Sequence, residues 1–136
     1  MTPVQDEVQV AVESESDIVT ARQRVRAMAA ALGFSSTDQT LIALAVSEIA
    51  RNIVSYATRG VVTLSEVTEG GRTGILVVAH DDGPGIADVG LAMRDGYSTA
   101  RSLGMGLPGA KRVTDEFEID SAPGHGTTIR MTKWRP

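Results

Sequence analysis

Residues 74–86 read GILVVAHDDGPGI. Ile75 to Ala79 are all apolar, and a run of that length bounded by turn residues predicts a central strand with little polar surface. It stops at two consecutive carboxylates, Asp81 and Asp82, and then at Gly83, Pro84 and Gly85, which break a strand sharply. D-G and P-G dipeptides make such a turn by themselves. The two acids also permit a chemical reading. A buried carboxylate is costly unless it accepts hydrogen bonds, and the exocyclic amine of adenine is a donor that satisfies it. Gly83 and Gly85 would then let a flat base approach the backbone, since neither has a Cβ in the way.

Upstream, VVTLSEV (61–67) predicts a strand, joined to the central one through the hairpin-type stretch Glu69-Gly70-Gly71-Arg72. Val8, Val10 and Val12 alternate with Gln9, Ala11 and Glu13, the period of a half-buried strand. Two helices lie between these strands. The first carries the stripe Ile18, Ala21, Val25, Met28 and Leu32, with Ser16 and Asp17 as start signals and Gly33 as its stop. The second starts at Ser35-Ser36-Thr37-Asp38, carries Ile42, Val46, Ile49 and Ile53, and runs to about Tyr56. Downstream, a short helix is expected from Asp88 to Arg94, followed by the polar, aperiodic segment Asp95 to Leu103, expected to be mobile. A helix over Gly106 to Asp115 tolerates Pro108 in its first turn, and FEIDS (117–121) and TTIRMTKW (127–134) predict two strands around Pro123-Gly124-His125-Gly126. Strand pairs joined by short turns imply an antiparallel arrangement. The expected fold is therefore a two-layer α/β sandwich, its mixed, largely antiparallel sheet carrying helices on one face, as a single domain over residues 1–136.

Composition bounds the function. The 136 residues are 42% hydrophobic and 22% charged, values of a folded globular domain. A net charge of −4 has the wrong sign for affinity drawn from nucleic-acid phosphates. The absence of cysteine excludes disulfides, Cys-ligated zinc and a thiol nucleophile, and fits a reducing compartment. No apolar stretch approaches the ~20 residues of a membrane span, and the acidic N-terminus is unlike a signal peptide. These features lead us to expect a cytoplasmic protein that engages neither membrane nor nucleic acid.

Three further motifs carry chemistry. Glu48 and Asn52 stand four apart and share a helical face. Exposed helices often carry such a pair, but Asn52 also offers a hard oxygen to Mg2+, with Glu48 beside it as a base or water-positioning group. Gly104-Met105-Gly106-Leu107-Pro108-Gly109 is formally G-x-G-x-x-G, yet it follows the polar YSTARSL rather than a strand, which argues against a dinucleotide fingerprint. What remains is either a helix cap or a phosphate site in which glycines expose backbone N–H groups at a helix N-terminus, with Arg101 and Lys111 adding charge. Gly124-His125-Gly126-Thr127 is a hairpin turn whose Thr127 hydroxyl is available to a phosphate. His80 and His125 are read as strand-end and turn residues without a chemical role.

In order and spacing these four motifs together resemble the N, G1, G2 and G3 boxes of the Bergerat ATP-binding fold of gyrase, Hsp90, histidine kinases and MutL. SEIARNIVSYA, DDGPGI, DGYSTARSLGMGLPGAKRVTDEF and GHGTTIRMTKW are most similar to the anti-sigma-factor serine/threonine kinases, in particular the stressosome switch kinases, over about Asp17 to Trp134. The resemblance implies ATP and Mg2+ as cofactors, Asn52 as metal ligand, Glu48 as catalytic base, and Asp81 and Gly85 at the adenine, with Gly83 and Ile86 in the same box. It implies phosphate contacts from Gly104, Gly106 and Thr127, with Met105 and Arg101 alongside, and an ATP lid over Asp95 to Leu103. The implied substrate is a STAS-domain protein of the stressosome, and the implied downstream partner is a PP2C-type phosphatase or a sigma factor. The alternatives are a binding module that sequesters a sigma factor or exchanges partners under nucleotide control, and a free-standing ATPase.

Overall fold

A computed structural model describes residues 4–84 and 106–136. In chain order the elements are β1 (Val4–Val12), α1 (Glu15–Ala31), α2 (Ser36–Tyr56), β2 (Gly60–Glu69), β3 (Arg72–Asp81), α3 (Gly106–Val113), β4 (Glu116–Ser121) and β5 (Thr127–Trp134). The short helix expected over 88–94 and the segment 95–103 lie outside the described residues.

The strands form one sheet in the order β1-β2-β3-β5-β4, and each of the four pairings is antiparallel. The expectation of a mixed sheet thus resolves into an antiparallel one. Two of the pairs, β2–β3 and β4–β5, are sequence neighbours that reverse direction at short turns, and β5 inserts between β3 and β4. The core is one layer between this sheet and the helices. Val10, Val12, Val62, Leu64, Ile75, Val77, Ala79, Ile129 and Met131 meet the stripes of α1 (Ile18, Ala21, Val25) and α2 (Ile42, Val46, Ile49, Ile53), with Leu107 and Ala110 of α3. Strand β3 is central, but only one of its faces is fully covered. Ile75, Val77, Ala79 and Asp81 are buried, Leu76 and Val78 are half-buried, and His80 is exposed. The outward apolar side chains stand beside cross-strand neighbours, Leu76 opposite Ser65 and Thr132, Val78 opposite Thr63 and Arg130. A continuous apolar run therefore marks centrality in the sheet rather than two covering layers.

Helix ends follow local chemistry. Ser14, not Ser16, occupies the N-cap position of α1 without a cap bond from its side chain, and Asp17 reaches back to accept from the Glu13 N–H at 2.9 Å and the Ser14 hydroxyl at 3.2 Å. Gly33 follows the end of this helix, as expected. Ser35 caps α2 through a bond from the Asp38 N–H to its hydroxyl oxygen at 3.1 Å. At the other end of α2, Thr58 takes φ 74°, left-handed backbone that a β-branched residue rarely adopts. Replacing it with glycine removes that strain. Thr58→Gly is expected to raise the free energy of unfolding by about 1 kcal/mol, measured by chemical denaturation, and a midpoint at or below that of the parent chain would remove the strain argument.

Candidate functional site

At the end of β3 only one of the two consecutive acids points into the protein. Asp81 is 5% exposed and accepts the Gly83 N–H on Oδ1 at 2.9 Å, an Asx-type turn. Asp82 points outward. Its Oδ1 lies 3.1 Å from His80 Nε2, and His80 Nδ1 lies 2.8 Å from Thr128 Oγ1 on the open face of the sheet. The turn after Asp81 is pressed against the end of α2. A Cβ on Gly83 would stand 2.6 Å from Ala57 Cβ and 3.1 Å from Asp81 Oδ1.

Sheet register gives Asp81 two neighbours, Gly60 on β2 and Thr127 on β5. Thr127 is 5% exposed, and its hydroxyl lies 2.8 Å from Ser121 Oγ. The preceding Gly126 has φ 71°, and a Cβ there would fall 2.1 Å from the Asp81 carbonyl oxygen. Two turns that the sequence separates by some forty residues are thus in backbone contact. The Gly124 N–H donating to Pro84 O at 2.7 Å ties them further.

The second cluster lies on α2. Glu48 is 9% exposed and its Oε2 accepts the N–H of Gly106 at 3.1 Å. Gly106 opens α3, so a carboxylate stands at the start of a glycine-led helix, where unpaired N–H groups and the positive end of the dipole favour negative charge. Asn52, one turn along α2, is half-buried, and its amide has no hydrogen-bond partner among the described residues. Arg51 turns away to Glu15 on α1, at 3.4 Å. Sequence reasoning overlooked two residues here. Tyr56 continues the line Glu48, Asn52 at the same four-residue spacing and is 43% exposed. Lys133, buried on β5, donates to Val113 O at 2.9 Å and lies 3.6 Å from Asp38 Oδ1, which fixes the C-terminal end of α3 to the start of α2. The spacing of Tyr56 was readable in the sequence, whereas nothing local marks Lys133.

Of the remaining candidates, Gly85, Ile86, Arg101, Gly104 and Met105 lie outside the described residues. Lys111 is exposed on α3, and His125 is exposed in the β4–β5 turn. Among the described residues no helix is long and apolar enough to cross a membrane, and no three His, Cys, Asp or Glu side chains gather as a metal cage.

Comparison with known proteins agrees with this geometry. The model of the histidine kinase-like ATPase domain matches residues 10–133. The chain is 46% identical over 129 residues to the serine/threonine-protein kinase RsbT of Bacillus subtilis (strain 168), an alignment that covers 95% of this chain and 97% of that one. It is 34% identical over 120 residues to the anti-sigma F factor of Thermoanaerobacter sp. (strain X514), covering 84% and 82% of the two chains. Among solved structures, the crystal structure of RsbU and RsbW domains from Mycobacterium tuberculosis superposes with a TM-score of 0.63 at 21% identity, over 97% of this chain and 34% of that one. The expectation of a Bergerat-type fold is borne out. The chain belongs to the histidine kinase-like ATPase family and, by its likeness to RsbT, to the serine/threonine kinases within it.

Proposed function

We propose that this chain binds ATP between α2, the end of β3 and the start of α3, and transfers the γ-phosphoryl group to a serine or threonine hydroxyl of a partner protein. The observation that carries the reading is the bond from the Gly106 N–H to the buried Glu48 carboxylate. It unites, at one helix start, a group able to accept a hydroxyl proton and a backbone suited to phosphate oxygens. Asp81 accepts the adenine amine at the other end of the strip. Thr127, directly opposite Asp81, is assigned to this base end rather than to the phosphates. Gly85 and Ile86 would flank the base, and Gly104, Met105 and Arg101 would serve the phosphates.

Asn52 fits Mg2+, because a half-buried amide oxygen with no other partner among the described residues is a hard ligand, and Mg2+ on a nucleotide needs only one or two protein oxygens. When bound, the ion neutralises charge on the phosphates. What the protein contributes is position. Asp81 and Thr127 fix the base, α3 orients the phosphate end, and the second oxygen of Glu48, without a partner among the described residues, is left to face an incoming hydroxyl.

Likeness to RsbT supports a small STAS-domain protein of a cytoplasmic stressosome module as the substrate, and a PP2C-type phosphatase as the partner activated afterwards. Likeness to anti-sigma F factors supports a second reading, capture of a sigma factor gated by nucleotide. Incubation with Mg-ATP carrying a labelled γ-phosphate and a STAS-domain protein separates them, since the kinase labels a partner hydroxyl and the binder labels nothing.

Asp81→Asn tests the base end. An amide can turn its N–H2 toward the adenine amine and leave it unpaired, at about 1–3 kcal/mol, so ATP affinity should fall about tenfold or more. Calorimetry that finds affinity unchanged in the folded variant would move the adenine elsewhere.

A further inference from the structure

Three hydroxyl and carbonyl groups beside Asp81 restrict where one proton can be. Ser121, the last residue of β4, faces Thr127 across the β4–β5 pair. Its Oγ lies 2.9 Å from the Gly126 carbonyl oxygen and 2.8 Å from Thr127 Oγ1. A carbonyl oxygen only accepts, and a hydroxyl carries a single proton. Ser121 therefore donates to Gly126, and the short contact with Thr127 is made by the proton of Thr127. The Thr127 oxygen is left with lone pairs alone for anything that approaches Asp81. Asp81 stands directly opposite, equally buried, with Oδ1 accepting from the Gly83 N–H. The two side chains form a couple that can accept hydrogen bonds but not donate them.

We propose that Ser121 is a specificity-determining positioning residue, which by holding the Thr127 proton makes the base end accept a 6-aminopurine and reject a 6-oxopurine. The inference rests on the nucleotide-binding reading above. Asp81 alone discriminates poorly, because a 6-oxopurine carries an N1–H that a carboxylate can accept. The second acceptor changes this. An adenine amine has two N–H groups to share between Asp81 and Thr127, whereas the O6 of a 6-oxopurine would meet lone pairs on Thr127, and buried polar groups left unpaired reject a ligand strongly.

ATP and ITP differ only at this edge of the base, so their affinities for the full chain in the presence of Mg2+ form the test. The parent chain should prefer ATP by about 100-fold or more. Ser121→Ala leaves the Thr127 hydroxyl free to turn and donate to O6, and the preference should shrink about tenfold, with ITP binding gaining. Ser121→Thr keeps the hydroxyl and should restore it. Thr127→Val removes the locked acceptor and should itself lower the preference, and in that background Ser121→Ala should no longer change the ratio. The proposal is overturned if Ser121→Ala weakens both nucleotides equally, if its effect persists in Thr127→Val, or if Thr127→Val leaves the ratio at the parent value. Failure of the parent chain to bind ATP at all would overturn the nucleotide site itself and this inference with it, an outcome distinct from ATP binding with an unchanged ratio.

Discussion

Glu48→Gln is expected to lose about 10²–10⁴-fold in partner phosphorylation while its ATP affinity stays within a small factor of the parent value. The choice of glutamine follows from the structure. Glu48 has one oxygen on the Gly106 N–H, and a glutamine carbonyl can keep that bond while losing the capacity to take a proton. Alanine removes both. Glu48→Ala leaves the first N–H of α3 without its buried acceptor and should weaken nucleotide binding as well as transfer, because the start of the helix is no longer held against α2. The two variants together separate chemistry from positioning. Equal ATP affinity in both would mean that the bond to Gly106 does not organise the phosphate end, and transfer at the parent rate by Glu48→Gln would remove Glu48 from the catalytic role. Asn52→Ala should behave differently from either, with its loss concentrated in Mg2+-dependent binding.

Much of this architecture was legible because it rests on short-range signals. The stripe from Ile42 to Ile53 and the start at Ser35 placed α2 to within a residue, and TTIRMTKW is β5 from end to end. The last carboxylate of an apolar strand was legible as a buried group for the same reason, since alternation along β3 sends Asp81 inward with Val77 and Ala79 and sends Asp82 out of the strand. Contacts between distant segments were not legible. Glu48 and Gly106 are 58 positions apart, and no local pattern says that one holds the other. A G-x-G-T turn carries no information about register, and register alone sets Thr127 opposite Asp81. Lys133 reads as one more strand residue until its contacts show it between the start of α2 and the end of α3. The start of α1 was misjudged for a smaller reason. Five polar residues, Glu13 to Asp17, stand in a row there, and the acid that looks like a cap is the one that reaches back over the helix start.

The β4–β5 turn offers the largest effect outside the chemistry, because two of its glycines have the same backbone conformation and different surroundings. Gly124 has φ 79° and nothing within 4 Å of the position a Cβ would take. Gly126 has φ 71°, but a Cβ would stand 2.1 Å from the Asp81 carbonyl oxygen and 3.0 Å from Asp82 Cα, both backbone atoms that no rotamer change can move aside. Alanine at either position meets the left-handed penalty, about 1 kcal/mol. At Gly126 it must also drive the ends of β3 and β5 apart, so Gly126→Ala should cost about 3 kcal/mol in all. The displaced backbone carries Asp81, and a carboxylate shifted by an ångström no longer meets the base. ATP affinity should therefore fall tenfold or more in the folded fraction of Gly126→Ala and stay at the parent value in Gly124→Ala. Denaturation midpoints and calorimetric titration of the two variants measure both quantities. Equal losses of stability would mean that the close approach of the two turns does not constrain the site. A Gly126→Ala chain that binds ATP as tightly as its parent would show that Asp81 is not held in place by β5.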